Sequence, residues 1–217
     1  MQPLDFRARA DEVAPALVGA VLSRGEVRIL ITEVEAYLGV DDPASHARSG
    51  PRGRASTMFG EPGRLYVYLS YGVHRAANVV CSPSGSASAV LLRAGRVLSG
   101  EQTVRARRQA DRSAGSRRPM PAHRLASGPG NLGRALGLSL ADDGAVLGED
   151  VTLEPAQQEF VTSTGPRVGV SVAADWPLRF WITGDPTVSQ YRRSPRAAPP
   201  PAPITQFTPE RPAAALL

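Results

Sequence analysis

One stretch of the sequence constrains the fold more than any other, the run ILITEVEAYLG from Ile29 to Gly39. Its apolar and β-branched residues predict a β-strand over residues 28–38. Successive side chains of a strand point to opposite faces, so Glu33, Glu35 and Tyr37 share one face at intervals of about 6.5 Å. The strand therefore combines an apolar face, typical of a core, with a face that carries two acids and a phenol.

The rest of the chain predicts more strands than helices. A long loop rich in Gly, Pro, Ser and Arg follows the acidic strand, and a loop of that length in a compact domain is usually functional or disordered. A hairpin is expected next, with its tip at Ser70-Tyr71-Gly72. Further elements are predicted as follows: a helix starting near Pro15, a strand ending near Arg93, a helix at the start of 101–124, a helix after Ser127 as the capping residue with Pro129 in its first turn, and strands at 151–153, 167–172 and 178–182.

The chain length predicts one substantial domain. The chain has 217 residues, of which 42% are hydrophobic, and this suffices for a real core. We place the domain at residues 1–193, with an arginine-rich loop around 101–124. Residues 194–217 are rich in Pro and Ala and are expected to form a flexible tail.

Composition excludes several kinds of chemistry. The single cysteine, Cys81, allows neither an intramolecular disulfide nor a thiolate cluster, and the histidines His46, His74 and His123 lack metal-ligand spacing, so no metal is expected. All 25 basic residues are arginine, so there is no lysine amine to form a Schiff base. The chain contains no apolar run that would span a membrane and no signal-peptide pattern, so a cytoplasmic protein is expected.

The net charge and the tyrosines suggest a nucleic-acid partner. The net charge of +5 favours a polyanion but also suits an ordinary basic enzyme. Of five tyrosines, Tyr37, Tyr66, Tyr68 and Tyr71 lie close in sequence to the paired glutamates. A tyrosine at a hairpin tip, as at Tyr71, would point outward, and an exposed aromatic wedge on a basic protein is what disruption of base stacking requires.

These segments resemble the alkyladenine (3-methyladenine) DNA glycosylases, the monofunctional enzymes that excise alkylated and deaminated purines. The likeness runs through ITEVEAYLGVDDPASHARSGPRGRASTMFGEPGRLYVYLSYGVHRAANVV and AVLLRA, and continues in SGPGNLGRALGL and RVGVSVAADWPLRFWITGDPTVS. It implies an α+β fold, a single mixed domain with a curved, mainly antiparallel, barrel-like sheet flanked by a few helices. It also implies a monomer that acts on double-stranded DNA containing damaged purines, in base excision repair and without a cofactor.

The resemblance also implies roles for individual residues. Glu35 matches the general base that activates water, and Arg93 matches the arginine that helps position that water. Tyr37, His46 and Tyr68 match the residues that hold the extruded base, and Asn78 matches a residue of the pocket wall that helps exclude guanine. Tyr71 matches the intercalating residue. Taken alone, Glu35 is also compatible with a surface charge on an edge strand.

The chemistry is consistent with these roles. A base in a duplex must be rotated out before its glycosidic bond is accessible, which costs a few kcal/mol. Electron-rich tyrosine faces favour a cationic alkylated purine by about 1 to 2 kcal/mol when desolvated. As the bond breaks, the sugar becomes oxocarbenium-like, and one carboxylate both stabilises that charge and accepts the proton of water. Glu33 is the spare carboxylate, and a structural ion pair with an arginine is its expected role.

Other functions remain open from the residues alone. A damage-binding protein would need the wedge and the arginines but not Glu35, and a structured-RNA-binding domain would share the curved sheet without releasing a base. A carbohydrate hydrolase using Glu33 and Glu35 is disfavoured, because such enzymes place their two acids on opposite sides of the bond. The absence of lysine closes the lyase route through an ε-amine. The sequence does not rank cationic against neutral lesions.

Overall fold

The acidic strand lies in the middle of an antiparallel sheet. The computed structural model describes residues 4–70, 72–109 and 119–199. Within them the acidic strand is β2 (Val27–Tyr37), flanked on one side by β5 (Ser88–Ser99) and on the other by β1 (Val21–Arg24) and β9 (Arg179–Ile182). The other strands are β3 (Leu65–Ser70), β4 (His74–Cys81), β6 (Ala126–Ser127), β7 (Thr152–Glu154) and β8 (Thr162–Gly165). The α-helices of the described residues are α1 (Ala10–Leu17), α2 (Glu101–Gln109) and α3 (Pro129–Ala135).

The predicted fold class is confirmed: the chain forms a mixed α+β structure with a curled, half-barrel antiparallel sheet. The strands run in the order β3-β4-β5-β2-β1-β7, while β6 pairs with β5, and β9 pairs with both β2 and β8. The pairing of β2 with β5 is irregular around Glu33, where the register shifts on both sides. Such an irregularity increases the local twist and redirects side chains, which is one reason why bulges occur next to functional sites.

Both faces of β2 are covered by other parts of the fold. Helix α1 packs against β2 and contributes the buried residues Val13, Ala14 and Leu17. Helix α3 packs against β4 and β5, and its Gly133 lies so close to the carbonyl oxygen of Arg75 that no Cβ would fit there. The second half of β2, from Ile31 to Ala36, is buried at every position. The acidic face is therefore not a solvent face.

A long connection from β2 to β3 builds one side of the site. It contains short 3₁₀ turns at Gly39–Asp41, His46–Ser49 and Gly53–Phe59. Gly39 begins the connection with a φ of 74°, in the left-handed region that glycine adopts freely. A Cβ at this position would also collide with the backbone of Ala87. The chain can turn sharply here only because the residue is glycine.

Several predicted elements are confirmed: the acidic strand, the hairpin arms, the helix after residue 101, and the strands near 151–153 and 178–182. The tip residue Tyr71 lies outside the described residues. The strand expected to end near Arg93 continues to Ser99, because β2 provides partners beyond that point.

Three local predictions are wrong. Helix α1 begins at Ala10 rather than near Pro15, and Pro15 lies inside it, since burial of the apolar helix face outweighs one lost backbone hydrogen bond. Ser127 belongs to β6, and the N-cap of α3 is Gly128, with no side-chain cap. The segment 167–172, predicted as a strand, is a loop. The Arg167 side chain donates a hydrogen bond to the Ala36 carbonyl oxygen, and the Val168 N–H donates one to Glu35 instead of to a neighbouring strand. The strand of this region is β8, which lies earlier in the chain.

No helix within the described ranges has the length and apolar character needed to cross a membrane.

Candidate active site

A cavity of about 370 Å³ opens beside the acidic strand. This volume lies in the lower part of the range of ligand pockets, about 300 to 1,000 Å³. Its walls come from the sheet, from the connection after β2, and from the loop after β8. The lining residues are Tyr37, Ala44, Ser45, His46, Met58, Tyr66, Tyr68, Ser70, Asn78, Leu91, Arg93, Pro129, Val168, Gly169 and Val170.

Sheet register brings the strand residues of the site together. Glu35 pairs with Leu91 across β2 and β5, Asn78 pairs with the same Leu91 across β4 and β5, and Tyr66 pairs with Asn78 across β3 and β4. Residues directly opposite each other in an antiparallel ladder point to the same face. Of this row of side chains across four strands, Leu91, Asn78 and Tyr66 form the floor of the cavity.

Glu35 lies behind this floor. Its side chain is completely buried, and Glu35 is not itself one of the cavity-lining residues. Its Oε1 accepts a hydrogen bond from the backbone N–H of Val168 at 2.7 Å, and its Oε2 accepts one from the Tyr37 hydroxyl at 2.9 Å. A guanidinium nitrogen of Arg93 lies 3.2 Å from Oε2. All three partners line the cavity, so the carboxylate is one side chain away from any occupant.

The position of Glu35 excludes the surface-charge interpretation. β2 has partners on both sides and is not an edge strand. Burying an ionised carboxylate is costly unless charged and hydrogen-bonding partners surround it, and Glu35 has both kinds. The fold therefore places a fully buried, hydrogen-bonded carboxyl group directly behind an otherwise aromatic and polar pocket.

Glu33 belongs to a closed network next to Glu35. Its Oε1 accepts hydrogen bonds from Arg179 at 2.6 Å, from the Ser189 hydroxyl at 2.9 Å and from Arg93 at 3.0 Å. Its Oε2 accepts one from the Ser189 N–H at 2.7 Å. The ion pair expected for Glu33 is thus present, with two arginines instead of one. Arg93 contacts both carboxylates and so connects the two acids.

Aromatic rings line part of the cavity. The rings of Tyr66 and Tyr68 are stacked, with centroids 5.4 Å apart. The His46 ring packs edge-on against Tyr68 at 4.6 Å, and its Nδ1 lies 3.0 Å from the Tyr66 hydroxyl. Asn78 donates a hydrogen bond to the Tyr66 carbonyl oxygen at 2.9 Å, which fixes the orientation of its amide. These contacts give the cavity rigid walls.

His46 is held in its neutral form. Burial, together with the charges of Arg54 and Arg48, lowers the pKa of His46 from 6.5 to about 4. On the strand side, burial and the neighbouring Glu35 carboxylate raise the pKa of the Tyr37 hydroxyl well above its ordinary value. At neutral pH both rings are therefore uncharged, and the charges around the cavity come from carboxylates and guanidinium groups.

The structure places six of the seven predicted site residues at one location. Tyr37, His46, Tyr68, Asn78 and Arg93 line the cavity, and Glu35 lies behind it. Tyr71 falls outside the described residues, although β3 and β4 on either side of it are paired as far as Ser70 and His74. In the described part of the chain there is no group of three or more potential ligands that could hold a metal ion.

Sequence reasoning missed several groups around the cavity. Tyr66 was recognised only as part of the tyrosine cluster, and its contact with His46 was not expected. Arg167 was assigned to a strand, but its buried guanidinium pairs with Asp42 and lies over the Tyr37 ring. The only local signal was an arginine next to apolar residues in PRVGV. Its partner lies 125 residues away, so no local pattern reveals the pair.

Comparison with known proteins adds a family-level result. The family model of methylpurine-DNA glycosylase (MPG) matches residues 5–186. That interval includes every residue of the site described above except Ser189, the partner of Glu33.

Relatives match the chain over most of its length. Three examples, each with the name "Putative 3-methyladenine DNA glycosylase", illustrate the similarity. The relative from Cutibacterium acnes is 51% identical over 195 residues, covering 86% of this chain and 97% of the relative. The one from Corynebacterium efficiens is 49% identical over 197 residues, covering 89% and 98%. The one from Rhodococcus jostii is 51% identical over 199 residues, covering 88% and 85%.

Proposed function

The chain belongs to the methylpurine-DNA glycosylase family and is a DNA glycosylase of the 3-methyladenine type, and from that premise we propose how it acts. It takes a damaged purine out of duplex DNA into the cavity and hydrolyses the N-glycosidic bond with a water activated by Glu35. The product is an intact abasic site. The substrates are alkylated or deaminated purines in double-stranded DNA, and the enzyme works as a monomer in the cytoplasm.

One observation carries this proposal: a buried carboxylate whose three hydrogen-bonding or charged partners all line one aromatic cavity. A purine in that cavity would be separated from Glu35 only by those partners. Glycosidic hydrolysis needs a negative charge close to the sugar and a base for the incoming water, and a single carboxylate serves both purposes. No other carboxylate of the site remains available, because Glu33 is occupied by two arginines and Ser189.

The cavity walls suit a flat heterocycle. Tyr37 and Tyr68 both line the cavity and would stack on the two faces of the base. His46, kept neutral by its surroundings, would offer a ring nitrogen to the edge of the base. Asn78, with its amide fixed on the Tyr66 carbonyl, would exclude the exocyclic amine of guanine. Stacking on aromatic rings tolerates many modified purines, which suits an enzyme with several lesions as substrates.

Water is activated between Glu35 and Arg93. Of the three contacts of Glu35, the one to Arg93 is the longest, at 3.2 Å, and it involves a residue at the cavity wall. A small shift of Arg93 would admit a water that donates to Oε2 of Glu35 and is oriented by the guanidinium. As the glycosidic bond breaks, the water attacks C1′ and its proton passes to Glu35, while the bond electrons leave with the purine. The remaining donors, Val168 N–H and the Tyr37 hydroxyl, keep the carboxylate in place.

The enzyme releases the base without cutting the strand. A lyase reaction needs an amine that forms a Schiff base with the sugar, and the chain contains no lysine. Tyr71, which follows β3 in the sequence, would fill the gap left by the extruded nucleotide and offset part of the cost of unstacking.

The experiment that tests this function is base release from three DNA substrates. Two are duplex oligonucleotides with a single hypoxanthine or a single ethenoadenine, and the third is methylated DNA. Wild type is compared with Glu35→Gln, and Glu154→Gln, a substitution of the same kind at a half-exposed ion pair of β7, is the control. We expect Glu35→Gln to lower release by about 10² to 10⁴-fold, the contribution of a general base, and Glu154→Gln to have no effect.

Binding of the lesion duplexes completes the test. Glu35→Gln should still bind them, because the substitution leaves the tyrosine walls of the cavity unchanged. No release by wild type from any substrate, with tight lesion binding, would instead indicate a non-catalytic binder of damaged DNA. Equal affinity for RNA would indicate an RNA-binding domain. Nicking of abasic DNA, or borohydride trapping of the protein on it, would contradict the monofunctional assignment.

A further inference from the structure

A groove lined by arginines adjoins the cavity of the site. It consists of two hollows, of about 680 and 780 Å³, which share Arg108, Met120 and Asn131 as lining residues. The first hollow begins at the start of β4, and the second ends in the segment after β9. Their arginines define the arginine groove: Arg75, Arg108, Arg124, Arg134 and Arg192.

The arginine groove carries positive charge that nearby acids do not neutralise. None of its described lining residues is an aspartate or a glutamate. Arg75, Arg124 and Arg192 are exposed, and no carboxylate in the part of the chain that the structure describes forms an ion pair with them. Arg24 and Arg193, by contrast, each pair with an aspartate. Guanidinium groups that are not already paired suit phosphate oxygens, to which they donate two parallel hydrogen bonds.

The groove lies on one side of the cavity. Pro129 lines the cavity, and Asn131, two residues later in α3, lines the groove. Ser70 of β3 lines the cavity, and its partner in the sheet, His74 of β4, lines the groove. The connection after β2 forms another wall of the cavity, but none of its residues is among the described lining of the groove. A duplex that places one nucleotide in the cavity would therefore meet the groove with only one of its two arms, the base pairs on one side of that nucleotide.

We propose that the arginine groove binds the phosphate backbone of one arm of the DNA duplex, on one side of the damaged nucleotide. The proposal rests on the function proposed above and specifies how its substrate is held. Duplex DNA carries one negative charge per about 1.7 Å of helix axis, so a groove with arginines along its whole length meets several phosphates. Phosphate contacts fix the register and orientation of a duplex without reading its bases. The groove thus orients the DNA, and the choice of lesion is left to the cavity.

The salt dependence of binding tests the phosphate contacts. Binding of an undamaged duplex is measured between about 50 and 200 mM salt for wild type and for Arg75→Gln, Arg124→Gln and Arg192→Gln. Each phosphate contact contributes about 0.9 to the slope of the logarithm of affinity against the logarithm of salt concentration. We expect each substitution to reduce this slope by about one, and the triple variant to reduce it by about three. A duplex with a lesion should lose affinity by the same factor, because phosphate contacts do not depend on the base.

A matched control separates contacts in the groove from the change in net charge. Arg7→Gln removes one positive charge from an exposed arginine that lines a different hollow, and its slope should equal that of wild type. Urea unfolding shows whether any of the variants has lost stability, and the three single variants keep the test valid if the triple variant does not fold. Slopes of the groove variants equal to that of Arg7→Gln would overturn the proposal.

Shortened duplexes test whether the contacts lie on one side of the lesion. The second-order rate constant for base release is measured on duplexes with a single hypoxanthine, in which one arm or the other is cut to a few base pairs. We expect the three substitutions to lose their effect when one particular arm is shortened, the same arm for all three, and to keep it when the other arm is shortened. Effects that survive both truncations, or that disappear with different arms for different arginines, would overturn the proposal.

The failure of this inference can be told apart from the failure of the proposed function. Base release by wild type, together with unchanged slopes in the groove variants, would overturn the inference and leave the proposed function standing. Reduced slopes without base release from any lesion substrate would support the groove as a binding site for DNA phosphates and would overturn the proposed function.

Discussion

Glu33 and Glu35 differ by two positions on one strand, yet they form two distinct regions of the molecule. The region around Glu33 is closed, because two arginines and both polar groups of Ser189 occupy its carboxylate. The region around Glu35 is open on one side, because the hydrogen-bond partners of its carboxylate line a cavity. Both carboxylates are completely buried.

The difference shows that two equally buried carboxylates on one strand can have very different surroundings. What distinguishes the two glutamates is the position of the hydrogen-bond donors that surround them. The partners of Glu33 tie β2 to β9 and to the segment that contains Ser189, so we expect them to contribute mainly to folding. The partners of Glu35 form the cavity wall, and we expect them to contribute mainly to chemistry.

Substitution of the closed region should produce the largest loss of stability. In Glu33→Gln the guanidinium groups of Arg93 and Arg179 lose a buried counter-charge, so we expect the free energy of unfolding to fall by about 3 to 5 kcal/mol. Glu35→Gln, which affects one arginine, should cost less. Urea unfolding of both variants measures the difference. If Glu33→Gln unfolds at the same urea concentration as wild type, the closed region is not a stabilising one.

A double-mutant cycle should show that Arg93 couples the two regions. Arg93 contacts Glu33 at 3.0 Å and Glu35 at 3.2 Å, so its loss should affect both. We expect Arg93→Gln and Glu33→Gln to be non-additive in stability, with a coupling energy of about 1 to 3 kcal/mol. The measurement is urea unfolding of the single and double variants. Additivity within about 0.5 kcal/mol would mean that Arg93 does not depend on Glu33 for its position.

In the open region, removal of the single hydroxyl of Tyr37 should slow base release. Tyr37→Phe keeps the ring beside the cavity but removes the hydrogen bond of 2.9 Å to Glu35. We expect base release to slow by about three- to tenfold, equivalent to roughly 1 kcal/mol for one hydrogen bond, with lesion binding unchanged. Single-turnover rates at saturating enzyme measure this effect. Tyr66→Phe, which removes a cavity hydroxyl that contacts His46 instead, is the matched comparison.

Acid should weaken the folded state through His46, a residue of the cavity wall. The pKa of His46 is about 4 in the folded protein, against an ordinary value of 6.5, mainly because of burial. The neutral ring therefore contributes stability above about pH 6.5, and this contribution is lost as the pH falls towards about 4. We expect His46→Gln to lose less stability than wild type between about pH 7 and pH 5, as measured by urea midpoints. Equal losses in both proteins would show that His46 is not the titrating group.

The part of the site built from strands could be predicted from the sequence. Alternation along β2 predicted that Glu33, Glu35 and Tyr37 share one face. The resemblance to the glycosylase family indicated Tyr68, Asn78 and Arg93. Both predictions were possible because each rests on a short, continuous segment of sequence. The sequence did not show that this face is buried, since its covering comes from distant elements such as the loop that contains Val168. It predicted an arginine ion pair for Glu33, but not that two arginines and Ser189 together enclose this carboxylate.

The part of the site built from loops could not be predicted locally. The apolar residues after Arg167 favoured a strand, but the backbone N–H of Val168 bonds to a carboxylate and the side chain of Arg167 bonds to Asp42. A strand needs backbone partners from another strand, and here side chains satisfy that need instead. The side chain of Arg167 also packs over the Tyr37 ring, which no local pattern in the sequence indicates.

The contacts that complete the site join residues far apart in the chain. Val168 and Glu35 are separated by 133 residues, and Ser189 and Glu33 by 156. Contacts between residues so distant in sequence form slowly, because a long segment must be ordered before they are made. During synthesis, the acidic strand leaves the ribosome well before Val168 and Ser189, whose N–H groups bond to the carboxylates of Glu35 and Glu33. The growing chain therefore contains Glu33 and Glu35 long before residues 168 and 189, whose backbone N–H groups hold the two carboxylates, have been made.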